Sequence, residues 1–257
     1  MINPSAALAH LDLSHLDLAT AMAGMAVCFF AGILGGMSGY GAGLLVTLFI
    51  APIIGPKALM PVISVLMLIN NASRVWFYRH EVDRRTVMRV AGAAIPMAWI
   101  GAELYVRMDS ALVQSMLGAV LVGSVPLRRI VAGKKLTPGP ISIYGIGATY
   151  GFLSSLIVGA GMLVVPLLMG IGFAGPALLG TDAAIAVIVN LAKTVIFGSL
   201  DALSLAYFLL AVMMGLCTVP GTWVAAFVVR RTSLRLHSLM IEGLILLGGA
   251  GMLLHLF

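Results

Sequence analysis

The sequence predicts an all-α polytopic membrane protein made of two inverted repeats, with about eight full transmembrane helices plus short half-helices meeting near the midplane. Three observations predict it. Of 257 residues, 61% are hydrophobic and only 9% charged, too little polar surface to cover a soluble core of this length. The apolar residues gather into ten runs, most close to the roughly 20 residues that a bilayer crossing needs. A glycine-hinged phrase also recurs about half a chain apart: GAGLLVTLFIAP begins at Gly41, and GAGMLVVPLLMG begins at Gly159.

The elements follow in order. Residues 1–20 form a tail without the basic start of a signal peptide, and Leu8, Leu11 and Leu18 fall on one side of a short interfacial helix. The first repeat occupies 21–135, with apolar runs at 21–37, 43–54, 59–78, 87–106 and 110–127. The second occupies 136–257, with runs at 141–158, 161–173, 177–197, 203–228 and 236–257. At about 1.5 Å per residue, the runs at 43–54 and 161–173 reach across only about half the hydrocarbon core.

Charge orients these runs. Arg79, Arg84, Arg85 and Arg89 follow the third run, Arg128, Arg129, Lys134 and Lys135 the fifth, and Arg230, Arg231 and Arg235 the ninth. The loops at 107–110 and 198–202 are poor in positive charge. Basic loops stay on the cytoplasmic side, so the chain is expected in the cytoplasmic membrane with both termini outside. The net charge of +6 is thereby spent on topology. No basic, aromatic-studded soluble face is left for nucleic acid. Cys28 and Cys217 lie inside apolar runs as packing residues, and the histidines at 10, 15, 80, 237 and 255 lack metal-ligand spacing. No cofactor is expected. The oligomeric state is not fixed by the sequence.

The repeat extends beyond the hinges. Gly41 and Gly43 align with Gly159 and Gly161; with one residue inserted, NNASRVWF at 70–77 aligns with VNLAKTVI at 189–196. Asn71 then matches Asn190, and Arg74 matches Lys193. Each half holds an odd number of runs, so the halves are expected to traverse the membrane in opposite senses, with a site between them.

The Gly-rich runs GILGGMSGYGAG and GFLSSLIVGAGMLVVP, each ending in a hinge, resemble those of the TauE/SafE sulfite-exporter family over about 25–257. The first half departs from the pattern: Leu48 stands where Pro166 stands in the second, and Pro52 follows four residues later. The resemblance implies export of sulfite, sulfonates or related small sulfur-containing anions.

The residues offer chemistry for such a task. A helix restarting at Gly43 or Gly161 would present free N–H groups and its positive dipole end to an anion; close helix packing is the alternative use of these glycines. Asn71/Arg74 and Asn190/Lys193 are spaced so that each pair shares one helical face. The amides and cations are candidates to hold an anion. The alternative is that Arg74 and Lys193 snorkel to opposite headgroup layers. The substrate-site candidates are therefore Gly41, Gly43, Asn71, Arg74, Gly159, Gly161, Asn190 and Lys193.

Asp182, matched by Ile63, stands outside the duplicated plan and is a candidate for proton coupling. Lys193 lies eleven residues further on, about three turns away. Glu103 is expected to reach water, and Glu242 to meet Arg235. Ser38, Tyr40, Ser154 and Ser155 flank the hinges as donors to an anion or as helix caps.

The expected function is secondary transport of a small anion by one half rocking against the other. The alternatives are transport of another carboxylate or oxyanion, a non-transporting assembly factor, and an intramembrane enzyme. No HExxH, GxSxG or paired intramembrane aspartates supports the last of these. AGKK at 132–135 lacks the flanking residues of a nucleotide loop, so ATP drive by this chain is not expected.

Overall fold

A computed structural model describes residues 18–38, 41–116, 119 and 140–228. The run at 236–257, Glu242, Tyr40 and the tail at 1–17 lie outside the described residues, as does most of 117–139. Among the described residues the chain is helical, without strands. The helices are α1 (Leu18–Ser38), α2 (Gly41–Ile54), α3 (Pro56–Tyr78), α4 (Arg84–Arg107), α5 (Pro140–Leu156), α6 (Gly161–Gly170), α7 (Gly175–Ser199) and α8 (Leu205–Val228). A 3₁₀ turn, Arg79–Glu81, follows α3, and residues 110–116 are also helical. By length and apolarity, α4, α7, α8 and α3 with its 3₁₀ turn can each cross a membrane. The expected count of about eight crossings is not reached among the described residues.

The order long, short, long, long occurs twice, as α1–α4 and as α5–α8. Packing follows the same plan. The principal pairs are α4 with α5, α1 with α8 and α3 with α7. Exchanging the two halves turns the first pair into the second and leaves the third unchanged.

The contacts give the path of the chain. A Cβ built on Gly24 would touch the Phe49 ring, and one on Gly35 would touch Ala42, so α2 folds back along α1 as a hairpin. α3 and α7 run antiparallel. Gly180, near the start of α7, lies against Tyr78 at the end of α3. At the other end Tyr105 joins Pro56 and Met60 of α3 to Phe197 of α7. The run at 43–54 therefore leaves the middle of the bundle and returns to the end where α1 began. α6 likewise runs from the middle to the end where α7 begins.

Two helix pairs approach backbone to backbone. Added methyl groups at Gly221 and Gly32 would fall on the carbonyl oxygens of Phe29 and Thr218, joining α8 to α1. At Gly147 and Gly151 they would fall on those of Val90 and Ala94, joining α5 to α4. Small residues allow this approach, and dispersion across it is a main source of helix association in lipid. Ser155 Oγ adds a hydrogen bond to Ala98 O at 2.9 Å. Ser154 Oγ donates to Gly151 O at 3.0 Å. Of the two expected uses, capping is not seen at Ser154 and Ser155, whose hydroxyls serve carbonyls of α5 and α4; Ser154 also lines the central cavity, where the anion-donor expectation would place it.

Candidate functional site

The two hinges meet in the middle of the bundle. α2 starts at Gly41, two residues before the expected restart at Gly43, and α6 starts at Gly161 as expected. Gly159 has φ +89, a conformation that other residues rarely adopt, and a Cβ there would lie 2.8 Å from Leu44 Cδ2. Across the same contact, a Cβ on Gly43 would lie 3.1 Å from Val158 Cγ1. Each hinge thus fills the space a side chain would need in the other. Pro52 lies inside α2 and Pro166 inside α6.

A cavity of about 70 Å³ opens at this junction. That is room for a few waters or one small solute. Ala42 and Gly43 at the first turn of α2, and Gly159, Ala160 and Gly161 at the start of α6, line it. So do Asn71, Asn190, Lys193 and Asp182. Gly41 is buried beside the cavity without lining it, and Arg74 is buried behind Asn71. The structure therefore brings seven of the nine sequence candidates onto one wall and sets the other two next to it.

The two Asn–cation faces are built alike and balanced differently. Arg74 Nη1 donates to Asn71 Oδ1 at 2.8 Å, and Lys193 Nζ donates to Asn190 Oδ1 at 3.3 Å. Both cations are buried, Arg74 at 1% exposure and Lys193 at 3%. Neither snorkels to a surface. Arg74 Nη2 also reaches Asp182 Oδ2 at 3.0 Å and Leu179 O at 3.3 Å. Asp182, 108 positions away in sequence, therefore neutralises Arg74 and not Lys193. Among the described residues no carboxylate pairs with Lys193. Its ammonium has three donors, of which Asn190 takes one. An ammonium buried to this degree is expensive to leave without a counter-charge.

Other residues at the site carry no signal in sequence. Tyr150 and Asn70 line the cavity, and Asn70 Oδ1 accepts from Thr222 Oγ1 at 3.2 Å. Asn71 Nδ2 is committed to Met67 O at 2.8 Å, so this amide turns its oxygen toward the cation.

The two ends of the α3–α7 crossing are closed by different chemistry. On the side of the 3₁₀ turn, Asp83 N donates to Thr181 Oγ1 at 3.1 Å, one residue from the Arg74–Asp182 pair. Asp83 caps α4, accepting from Thr86 Oγ1 at 2.6 Å and from Thr86 N and Arg85 N. The Thr86 hydroxyl bond, with these amides, holds its carboxyl below the ordinary value. Arg79 stacks 4.7 Å above the exposed Trp76 ring on this side. On the far side Tyr105 Oη reaches Pro56 O and Met60 N, and Lys57 Nζ donates to Val106 O at 2.7 Å and to Met108 O. Glu103, expected to reach water, pairs with Arg107 in solvent there.

Against known proteins, the family model described as sulfite exporter TauE/SafE matches residues 24–252. No curated protein and no solved structure matches the chain.

Proposed function

This chain belongs to the sulfite exporter TauE/SafE family, a family of membrane transporters, and on that premise we propose that it exports a small sulfur-containing anion by alternating access. Sulfite or an organosulfonate is the substrate, and the cytoplasmic membrane is the barrier it crosses. One observation carries the choice of site: Lys193, buried and without a carboxylate partner among the described residues, lines a cavity shared with the first turns of α2 and α6. Backbone N–H groups at two helix starts and one uncompensated ammonium form a place for an anion.

The halves 21–135 and 136–257 are inverted repeats in this reading. The antiparallel course of α3 and α7, and the packing plan that survives exchange of the halves, support it. The basic cluster of Arg79, Arg84, Arg85 and Arg89 supports a cytoplasmic 3₁₀ turn, and both termini are then outside in this reading. Inward opening then parts the Arg74–Asp182 and Asp83–Thr181 contacts, and outward opening parts Tyr105 from α3 and Phe197. Proton coupling runs through Asp182 in this reading, since a proton there releases Arg74.

Sulfite flux into proteoliposomes tests this, with a two-carbon sulfonate, sulfate and acetate as competitors. Saturable flux blocked by the sulfonate and not by acetate is the expected result. Block by acetate would transfer the site to carboxylates. Absence of flux and of competition in folded protein would leave a non-transporting assembly role.

A further inference from the structure

The charges around the cavity do more than attract an anion. Among the described residues, three charged side chains are buried: Arg74, Asp182 and Lys193. Arg74 and Asp182 are in contact at 3.0 Å and cancel each other. Lys193 remains, so with its ammonium protonated the described side chains around the cavity sum to one positive charge. A monoanion brings that sum to zero. A dianion leaves one negative charge in a cavity of about 70 Å³ walled by apolar helices, where a bare charge is poorly solvated.

We propose that the site is matched in charge to singly charged anions, and that Asp182 sets this selectivity by cancelling Arg74. The preferred substrate class is then a sulfonate or another monoanionic oxyanion, and sulfate-like dianions are excluded by charge. Asp182 acts through Arg74, as a positioning and charge-setting residue. This rests on the anion-site reading above and adds a valence to it. The repeat makes the role visible: Ile63 occupies the position matching Asp182, so without this one acid both Asn–cation faces would stand uncompensated and the site would hold two positive charges.

The test is equilibrium displacement of radiolabelled methanesulfonate from the purified full chain, using unlabelled methanesulfonate and sulfate. The two are similar tetrahedra that differ by one charge. Wild type is expected to hold methanesulfonate about tenfold or more tighter than sulfate, because the surplus charge is uncompensated. Asp182→Asn raises the site charge by one and is expected to move that ratio about tenfold or more toward sulfate. Hydration differences between the probes are common to both proteins and cancel in the shift. Arg74→Gln/Asp182→Asn restores the wild-type charge and is expected to restore the wild-type ratio, which a merely structural role for Asp182 would not do. It also serves if the single variant does not fold. Equal binding of both probes by wild type, or a ratio unchanged in Asp182→Asn, overturns the proposal. So does loss of the monoanion preference in the folded double variant. Folded wild type that binds neither probe nor sulfite overturns the anion site itself, an outcome distinct from an unselective one.

Discussion

The ring of Tyr105 stands edge-on to that of Phe197, centroids 5.9 Å apart and planes inclined at 72°. It is the point where α4 meets the end of α7, and the Tyr105 hydroxyl ties the same place to the start of α3. Ring and hydroxyl are separable. Phe197→Ala should cost about 3–5 kcal/mol through the void it leaves, and Tyr105→Phe about 1–3 kcal/mol through the buried polar groups it strands. Thermal unfolding in micelles should rank wild type above Tyr105→Phe and Tyr105→Phe above Phe197→Ala. The reverse order would mean that the hydroxyl, not the ring, holds this end.

Arg74 and Asp182 should behave as one unit in stability. Asp182→Asn alone strands a buried guanidinium and should cost about 3–5 kcal/mol. Adding Arg74→Met should recover much of that loss, giving a coupling energy well above the few tenths expected of independent sites. Additive penalties in the double-mutant cycle would show that the pair is not coupled.

Lys193→Met should separate function from folding. Removing an ammonium that has no counter-charge among the described residues should leave thermal stability equal or higher, while sulfite binding falls by about tenfold or more. A stable Lys193→Met protein with wild-type sulfite affinity would remove this residue from the site.

At the hinge, Gly159→Ala combines a positive φ with a clash against Leu44. It should cost about 1–3 kcal/mol and weaken sulfite binding by shifting the first turn of α6. Gly92→Ala is the control, since a Cβ there meets nothing within 4 Å. Inside a helix it should be neutral or stabilising by up to about 1 kcal/mol. Matched melting and binding curves for the two variants decide the matter.

Asp83 supplies a pH test outside the membrane. Its folded carboxyl titrates below the ordinary 3.8, so the stability it lends α4 is fully present above that value and is lost as pH falls through the folded value. Removing the N-cap in Asp83→Ala should cost about 1 kcal/mol at neutral pH, a typical cap loss. The penalty should shrink on acidification below 3.8. A penalty that is constant with pH would mean that the carboxylate charge plays no part in the cap.

Duplicated features were the legible ones. The hinge phrase and the Asn–cation spacing occur twice, each is a local pattern on one helix, and both copies of each reach the one cavity. What has no duplicate was hidden. Spacing along one helix relates Asp182 only to Lys193, about three turns away; its partner Arg74 comes from α3, across an antiparallel crossing 108 positions distant. Tyr105 and Thr222 read as ordinary apolar-run residues because their partners are backbone or amide groups on other helices. Ser154 and Ser155 sit beside a hinge, yet their hydroxyls go to nearby carbonyls, a preference that proximity in sequence does not reveal.

The glycine crossings carry a mechanical consequence. α1 is locked to α8 at Gly32 and Gly221, and α4 to α5 at Gly147 and Gly151, with no clearance between backbones. Each lock joins a helix of 21–135 to one of 136–257. Swinging the first repeat as a block against the second would shear both locks at once. On the inverted-repeat reading proposed above, each stiff body is then a chimera, assembled from a helix of each half. On the same reading, the movement that alternating access needs falls between those bodies, in the short hinge helices and in the crossing of α3 with α7.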